Sequence, residues 1–322
     1  MTDELRSIDE LRSICDDHGI FLRREAIALG YNDRALDRAR KAGQIHRVRH
    51  GAYVFWEQWQ PADEQARHLL RARAVLRTVR TEVALSHTTA LIVMAAPLWD
   101  LPLVDVHLTR LDGRAGRREA GIAQHRGRIL PGDVTEIGGI PVTSPVRTAL
   151  DLTRISDVEH SLVPLDWLLH TKALVKPDLH ARAAAMNLSP GTLATDLVIR
   201  LADGRLESAG ESRSHHMFWR GGLPKAEPQF EVHDEWGEVV ARVDFAWPEY
   251  GVFLEFDGKV KYEKLRKEGE SVLDVVLREK KREETICRLT GWRCIRIVWA
   301  DLYRPADTVA YIRGVLAGGP VH

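Results

Sequence analysis

The sequence predicts an α+β chain of several domains, on three observations. It has 322 residues, more than one ordinary domain of roughly 100–200 residues accounts for. Its apolar fraction of 44% suffices for packed cores and argues against disorder. Along the chain the hydrophobic period switches repeatedly between helical and strand spacing. Lys plus Arg and Asp plus Glu number 46 each, so the net charge is zero, and only the distribution of charge speaks about a nucleic-acid partner. Cys15, Cys287 and Cys294 have no metal-ligand spacing; the last two sit in apolar-rich sequence and read as small core residues. The amino terminus, MTDELRSIDELRSI, is charged and lacks the apolar centre of a signal peptide. No apolar run reaches the roughly 18 residues of a membrane span. A cytoplasmic chain with no membrane partner is expected.

The first part covers residues 1–60. Leu5, Ile8, Leu11 and Ile14 recur at helical spacing, and Gly19 ends that helix. A short helix from Arg23 to Leu29 stops at Gly30. Asn32 or Asp33 caps a third, from Arg34 to Ala42, which stops at Gly43. QIHRVRHGAYVF then reads as two short strands about a turn at His50 and Gly51. Three short helices followed by a β-hairpin is the winged helix-turn-helix order. Between Arg38 and Tyr53 stand Arg38, Arg40, Lys41, Arg47, Arg49, His46 and His50, without one acid. A recognition helix brings side chains to base edges, and a wing reaches the flanking backbone. Lys and Arg in both would neutralise phosphates. Arg34, Arg38, Lys41, Arg47 and Arg49 are therefore the candidate contacts to double-stranded DNA. An ordinary solvated basic face is the alternative.

The second part, residues 61–203, reads as a middle α/β domain. A helix runs through LRARAVLRTVR. The strands VDVHLTR and IAQHRGRIL follow, separated by the polar turn LDGRAGRREAG. Ser144 and Pro145 open another helix, and further helices complete the part.

The third part, residues 204–322, reads helix, three strands, helix, strand. ESAGESRSHHMFWRG is the first helix. PQFEVHD, VVARVDFAW and GVFLEFD are the strands. VLDVVLREKKREETICRLTG is the second helix and WRCIRIVW the last strand. A hairpin centred between Glu249 and Tyr250 sets Asp244 opposite Glu255 and Arg242 opposite Asp257. Strand alternation puts these four on one face, with Val243, Phe245, Leu254 and Phe256 on the other. Two facing carboxylates repel unless a cation lies between them or one stays protonated. Oxygen ligands of this kind suit Mg²⁺ or Mn²⁺, with Asp244 and Glu255 as the candidate metal ligands. A structural acidic patch neutralised by Arg242 and Lys259 is the alternative. His215 and His216, adjacent on a helix, do not share a face and read as exposed polar residues.

Two resemblances follow from these segments. Glu211 on the first helix, VDFAWPE, LEFDGKVKY, REKKREE and GWRCIRIVWADL resemble a domain related to very-short-patch-repair endonucleases, in the PD-(D/E)XK nuclease superfamily. That resemblance implies a catalytic set of Glu211, Asp244 and Glu255, with Asp257 assisting. It departs from the superfamily motif at Asp257, where a lysine is expected two positions after the second acid; Lys259, Lys261 or Lys280 would have to stand in. GQIHRVRHGAYVF, ALSHTTALIVMAAP and GIPVTSPVRTALDL resemble the AbiEi-type antitoxins and transcriptional regulators of type IV toxin–antitoxin systems. That resemblance implies a DNA-binding regulator, a cognate toxin as partner, and a homodimer on paired half-sites. Two functions are thus expected to compete: a regulator whose nuclease-like domain serves binding, and a Mg²⁺-dependent endonuclease targeted by its winged helix.

Overall fold

The structure, a computed structural model, describes residues 8–186, 192–258, 272–319 and 321. It is a mixed α/β chain that divides into two compact units, Met1–Leu152 and Thr153–His322.

The first unit opens with a 3₁₀ turn, Ile8–Ile14, that buries Leu11. Strand β1, Ile20–Leu22, is followed by helices α1, Arg23–Ala28, and α2, Asp33–Lys41. The Asn32 side chain accepts the Ala35 amide at 2.9 Å and so caps α2. Strands β2, Ile45–Arg49, and β3, Ala52–Phe55, form the expected hairpin. β1 adds to it, giving an antiparallel sheet in the order β1-β3-β2. Sequence reading missed β1: three consecutive buried residues have no alternation to betray a strand. Phe21, Leu36, Ile45, Tyr53 and Phe55 share one core with Leu11.

Helices α3, Trp56–Trp59, and α4, Glu64–Thr78, lead to a six-stranded sheet. Its members are β4, Val83–Leu85; β5, Val106–Arg110; β6, Arg118–Glu119; β7, Ile122–His125; β8, Val134–Ile137; and β9, Ile140–Thr143. They lie in the order β6-β7-β5-β4-β9-β8, with β5 parallel to β7 and β4 parallel to β9. Helix α5, His87–Val93, connects β4 towards β5, and α6, Pro145–Leu152, closes the unit. Ala90 of α5 joins Leu85, Val106, Leu108, Ile122 and Val142 of the strands in the core.

The second unit begins with helices α7, Val158–His170, α8, Lys176–Ala184, and α9, Thr192–Leu201. α10, Ala209–Arg220, packs on α7. The stretch expected to end a middle domain at residue 203 thus groups with the C-terminal sheet. Its apolar faces announced helices but not the surface they cover. Strands β10, Glu227–His233, β11, Val239–Trp247, and β12, Val252–Asp257, form an antiparallel meander. After α11, Val272–Thr290, strand β13, Arg293–Val298, pairs parallel to β12, as a helical crossover requires. Helices α12, Trp299–Leu302, and α13, Pro305–Leu316, finish the chain. Two cores flank this sheet. One gathers Phe218, Phe245, Leu254, Phe256, Ile295 and Ile312; the other gathers Val232, Val243, Ala246, Phe253 and Ile286. Val243 therefore leaves the company of Phe245 in which strand alternation had placed it. Among the described residues no helix is long and apolar enough to cross a membrane.

Candidate functional site

Helical spacing sets Arg34, Arg38 and Lys41 on one exposed face of α2, while Leu36 and Ala39 anchor the opposite face. Within the same helix Asp37 takes both Arg40, at 2.7 Å, and Lys41, at 2.9 Å. These partners hold the Asp37 carboxyl below its usual range. Lys41 accordingly presents less free charge than its position suggests. On the hairpin, Arg47 is exposed opposite Tyr53. A register shift follows between Arg47 and Arg49. Arg49 is half-buried, and burial lowers its guanidinium, with Glu119 pulling the other way. Of the five candidate DNA contacts, Arg34, Arg38, Lys41 and Arg47 are exposed and Arg49 is not.

In the second unit a 3₁₀ turn, Pro248–Tyr250, and Gly251 at φ 60° join β11 to β12. The register runs Phe245 to Leu254 and Trp247 to Val252. The paired register ends there, before Asp244 and Glu255, which the turn alone had set opposite one another. Both are 8% exposed. The Phe256 amide donates to Asp244 Oδ2 at 2.7 Å. Arg282, from α11, donates to Glu255 Oε1 at 3.0 Å. Glu211, at the start of α10, is buried and accepts from Gln229 Nε2 at 2.7 Å, the Ser208 hydroxyl at 2.7 Å and the Glu207 amide at 3.0 Å. Burial first, and the charge of Asp244 second, raise the Glu211 carboxyl.

Asp244 thus lies near Glu211 and against the β12 backbone beside Glu255. Asp257 is drawn aside to Arg296, at 3.6 Å, and Arg242 to Glu207, at 2.6 Å. Lys280 is exposed; Lys259 and Lys261 lie outside the described residues. Among the described residues, this carboxylate set contains no three groups close enough to share one ion. Gln229, held at φ 53°, is a contributor that sequence reading missed, and nothing in its local pattern signals it. His216 corrects the expectation of exposure: it is 6% exposed, with Nδ1 at 3.8 Å from Glu159, because this face of α10 lies against α7.

A mixed α/β chain with a basic helix-and-hairpin element at its start is the class these features define. Residues 10–55 match the family model described as transcriptional regulator, AbiEi antitoxin. The match spans β1, α1, α2 and the whole hairpin. The chain is also similar to two uncharacterized proteins of Mycobacterium tuberculosis, from strains CDC 1551 / Oshkosh and H37Rv. Each is 28% identical over 160 residues, covering 46% of this chain and 59% of the relative.

Proposed function

We propose that this chain is a DNA-binding transcriptional regulator of the AbiEi-antitoxin kind, acting through an N-terminal winged helix. The carrying observation is a coincidence in position: the family match over residues 10–55 encloses the exposed arginine face of α2 and the hairpin. The element order, with β1 completing a three-stranded sheet beside two helices, supports the same reading. In this reading α2 enters the major groove and the β2–β3 hairpin lies along the flanking backbone. Arg34 and Arg38 reach base edges or phosphates, and Arg47 reaches phosphate. A homodimer would need half-sites about 34–36 Å apart, one turn of duplex. A cognate toxin encoded beside the chain is the partner this family implies. Fluorescence anisotropy on a duplex from upstream of the chain's own gene tests the reading. Wild type should bind, and Arg34→Ala with Arg38→Ala should weaken binding at least about tenfold, given roughly 1–3 kcal/mol for a good base contact. Unchanged affinity in that double variant would defeat the assignment.

One observation favours a second role for the C-terminal unit. The helix, three strands, helix, strand order, with Asp244 and Glu255 buried on adjacent strands and buried Glu211 near Asp244, supports a nuclease-like reading. The donor chemistry of Asp244 and Glu255 fits Mg²⁺ or Mn²⁺, though Arg282 already compensates Glu255. With Asp257 paired to Arg296 in the place of the motif lysine, we assign this unit to binding rather than cleavage. An ion that binds only the native state raises the melting temperature. Millimolar Mg²⁺ should therefore shift the melt of the wild type and not of Glu255→Gln. Magnesium-dependent plasmid nicking, lost in Asp244→Ala, would replace this assignment with an endonuclease.

A further inference from the structure

Three histidines of the first unit, separated by some twenty residues each in sequence, are brought together by the six-stranded sheet. His87 opens α5, His107 lies on β5 and His125 ends β7. β5 and β7 are parallel neighbours, with His125 beside Thr109, and α5 packs over β5. Each histidine offers a ring nitrogen within 4.8 Å of the others. The His107 Nδ1 and His125 Nε2 atoms are 2.8 Å apart. The His87 and His125 rings stack with centroids 3.7 Å apart, and those of His107 and His125 at 5.1 Å. We propose that His87, His107 and His125 bind one transition-metal ion of borderline softness, zinc being the reference case.

The coordination distances suit this. Zinc–nitrogen bonds of about 2.0–2.1 Å in tetrahedral geometry separate two ligating nitrogens by roughly 3.3 Å. The ring nitrogens, all within 4.8 Å of one another, would have to settle at that spacing around an ion. The ligands must be neutral imidazoles. The donor set is three nitrogens with no thiolate. Asp105, the nearby carboxylate, is engaged by Arg118 at 2.5 Å. Such a set selects zinc, cobalt, nickel or copper over magnesium or calcium.

The surroundings of the cluster are ordered in the way metal ligands require. His87 Nδ1 lies 2.9 Å from the Ser86 hydroxyl, a contact that fixes ring orientation. The His107 backbone amide donates to Thr89 Oγ1 at 2.9 Å. Thr89 in turn donates to His68 Nε2 at 2.8 Å, and His68 Nδ1 donates to the Leu103 carbonyl at 3.1 Å. This chain uses both nitrogens of His68, which explains why a fourth buried histidine so close by is not a ligand. It also braces the strand that carries His107. His87 itself adopts φ 51°, a left-handed conformation that is costly for a non-glycine residue and persists where surrounding structure enforces it. That backbone turn points its ring at β7 rather than along the helix. Three protein ligands leave a fourth position for water. A bound ion would clamp α5 to β5 and β7.

The alternative is a stacked, hydrogen-bonded histidine trio with no ion. Titration of the metal-stripped full chain with Zn²⁺ against a chromophoric chelator separates the two. The wild type should take up one zinc per chain, and Co²⁺ should give the visible absorption of tetrahedral coordination. His107→Gln with His125→Gln, checked for folding by circular dichroism, should lose more than about a hundredfold in zinc affinity. Even an outer-shell partner is worth roughly 10–100-fold. X-ray absorption of the zinc-loaded wild type should show imidazole nitrogen in the first shell, a readout that does not depend on the variant folding. Absence of stoichiometric zinc in the wild type would overturn the site. So would a folded double variant that binds zinc as the wild type does, or a first shell of oxygen or sulfur.

Discussion

Asp166, on α7, is 1% exposed, and burial pushes its carboxyl up to about 8 against the pull of Ser212 and the Asp203 amide. The folded value lies far above the unfolded one, so between about pH 4 and 8 the unfolded chain has released a proton that the native chain retains. Stability conferred by the neutral carboxyl is complete below the unfolded value. It falls as pH rises towards 8, by at most about 1.4 kcal/mol per pH unit. Glu211, raised by burial and by Asp244, acts with the same sign. His215 and His216, lowered by burial, act with the opposite sign. The difference between variants is therefore the sound readout. Asp166→Asn keeps an oxygen for the Asp203 amide, which sits at 2.8 Å, and cannot ionise. It should melt higher than the wild type at pH 8 and much closer to it at pH 5. Parallel melting curves across that range would show that Asp166 does not carry the proton.

At the scale of elements, legibility tracked local signals. Asn32 and Gly43 bracket α2, and the dipeptide at His50 and Gly51 sets the hairpin. One turn, Pro248–Tyr250, fixes the β11–β12 register from Phe245 to Trp247. What stayed hidden depends on distant pairing. β1 is three buried residues whose partner lies thirty positions on. The 158–201 helices show apolar faces but not their partners. The histidine cluster exists only because β5 and β7 run side by side, with none of the short ligand spacing that marks a metal site in sequence. Helix α2 offers a direct check of a legible signal. Asn32→Ala leaves the Ala35 amide without its side-chain acceptor and should cost about 1 kcal/mol. Chemical denaturation should register that loss, and DNA affinity should fall with it because the same helix presents Arg34 and Arg38. A variant as stable as the wild type would mean that solvent replaces the cap.

For the molecule as a whole, 46 basic and 46 acidic residues leave no net field to draw a duplex from a distance. Affinity must then come from a local patch, and its dependence on salt should be shallow. Each neutralised phosphate contributes about 0.9 to the slope of log affinity against log salt. If Arg34, Arg38 and Arg47 make the electrostatic footprint, the wild-type slope should be near three rather than near ten. Arg34→Ala with Arg47→Ala should bring it down by about two. Lys280→Ala with Lys281→Ala removes two exposed charges from α11 in the other unit. Under the regulator reading that pair should leave the slope unchanged, which makes it the matched control for a simple loss of positive charge. Equal reductions in the two double variants would move a substantial share of the duplex onto the C-terminal unit. The nuclease-like reading of Asp244 and Glu255 would then gain the substrate contact it needs.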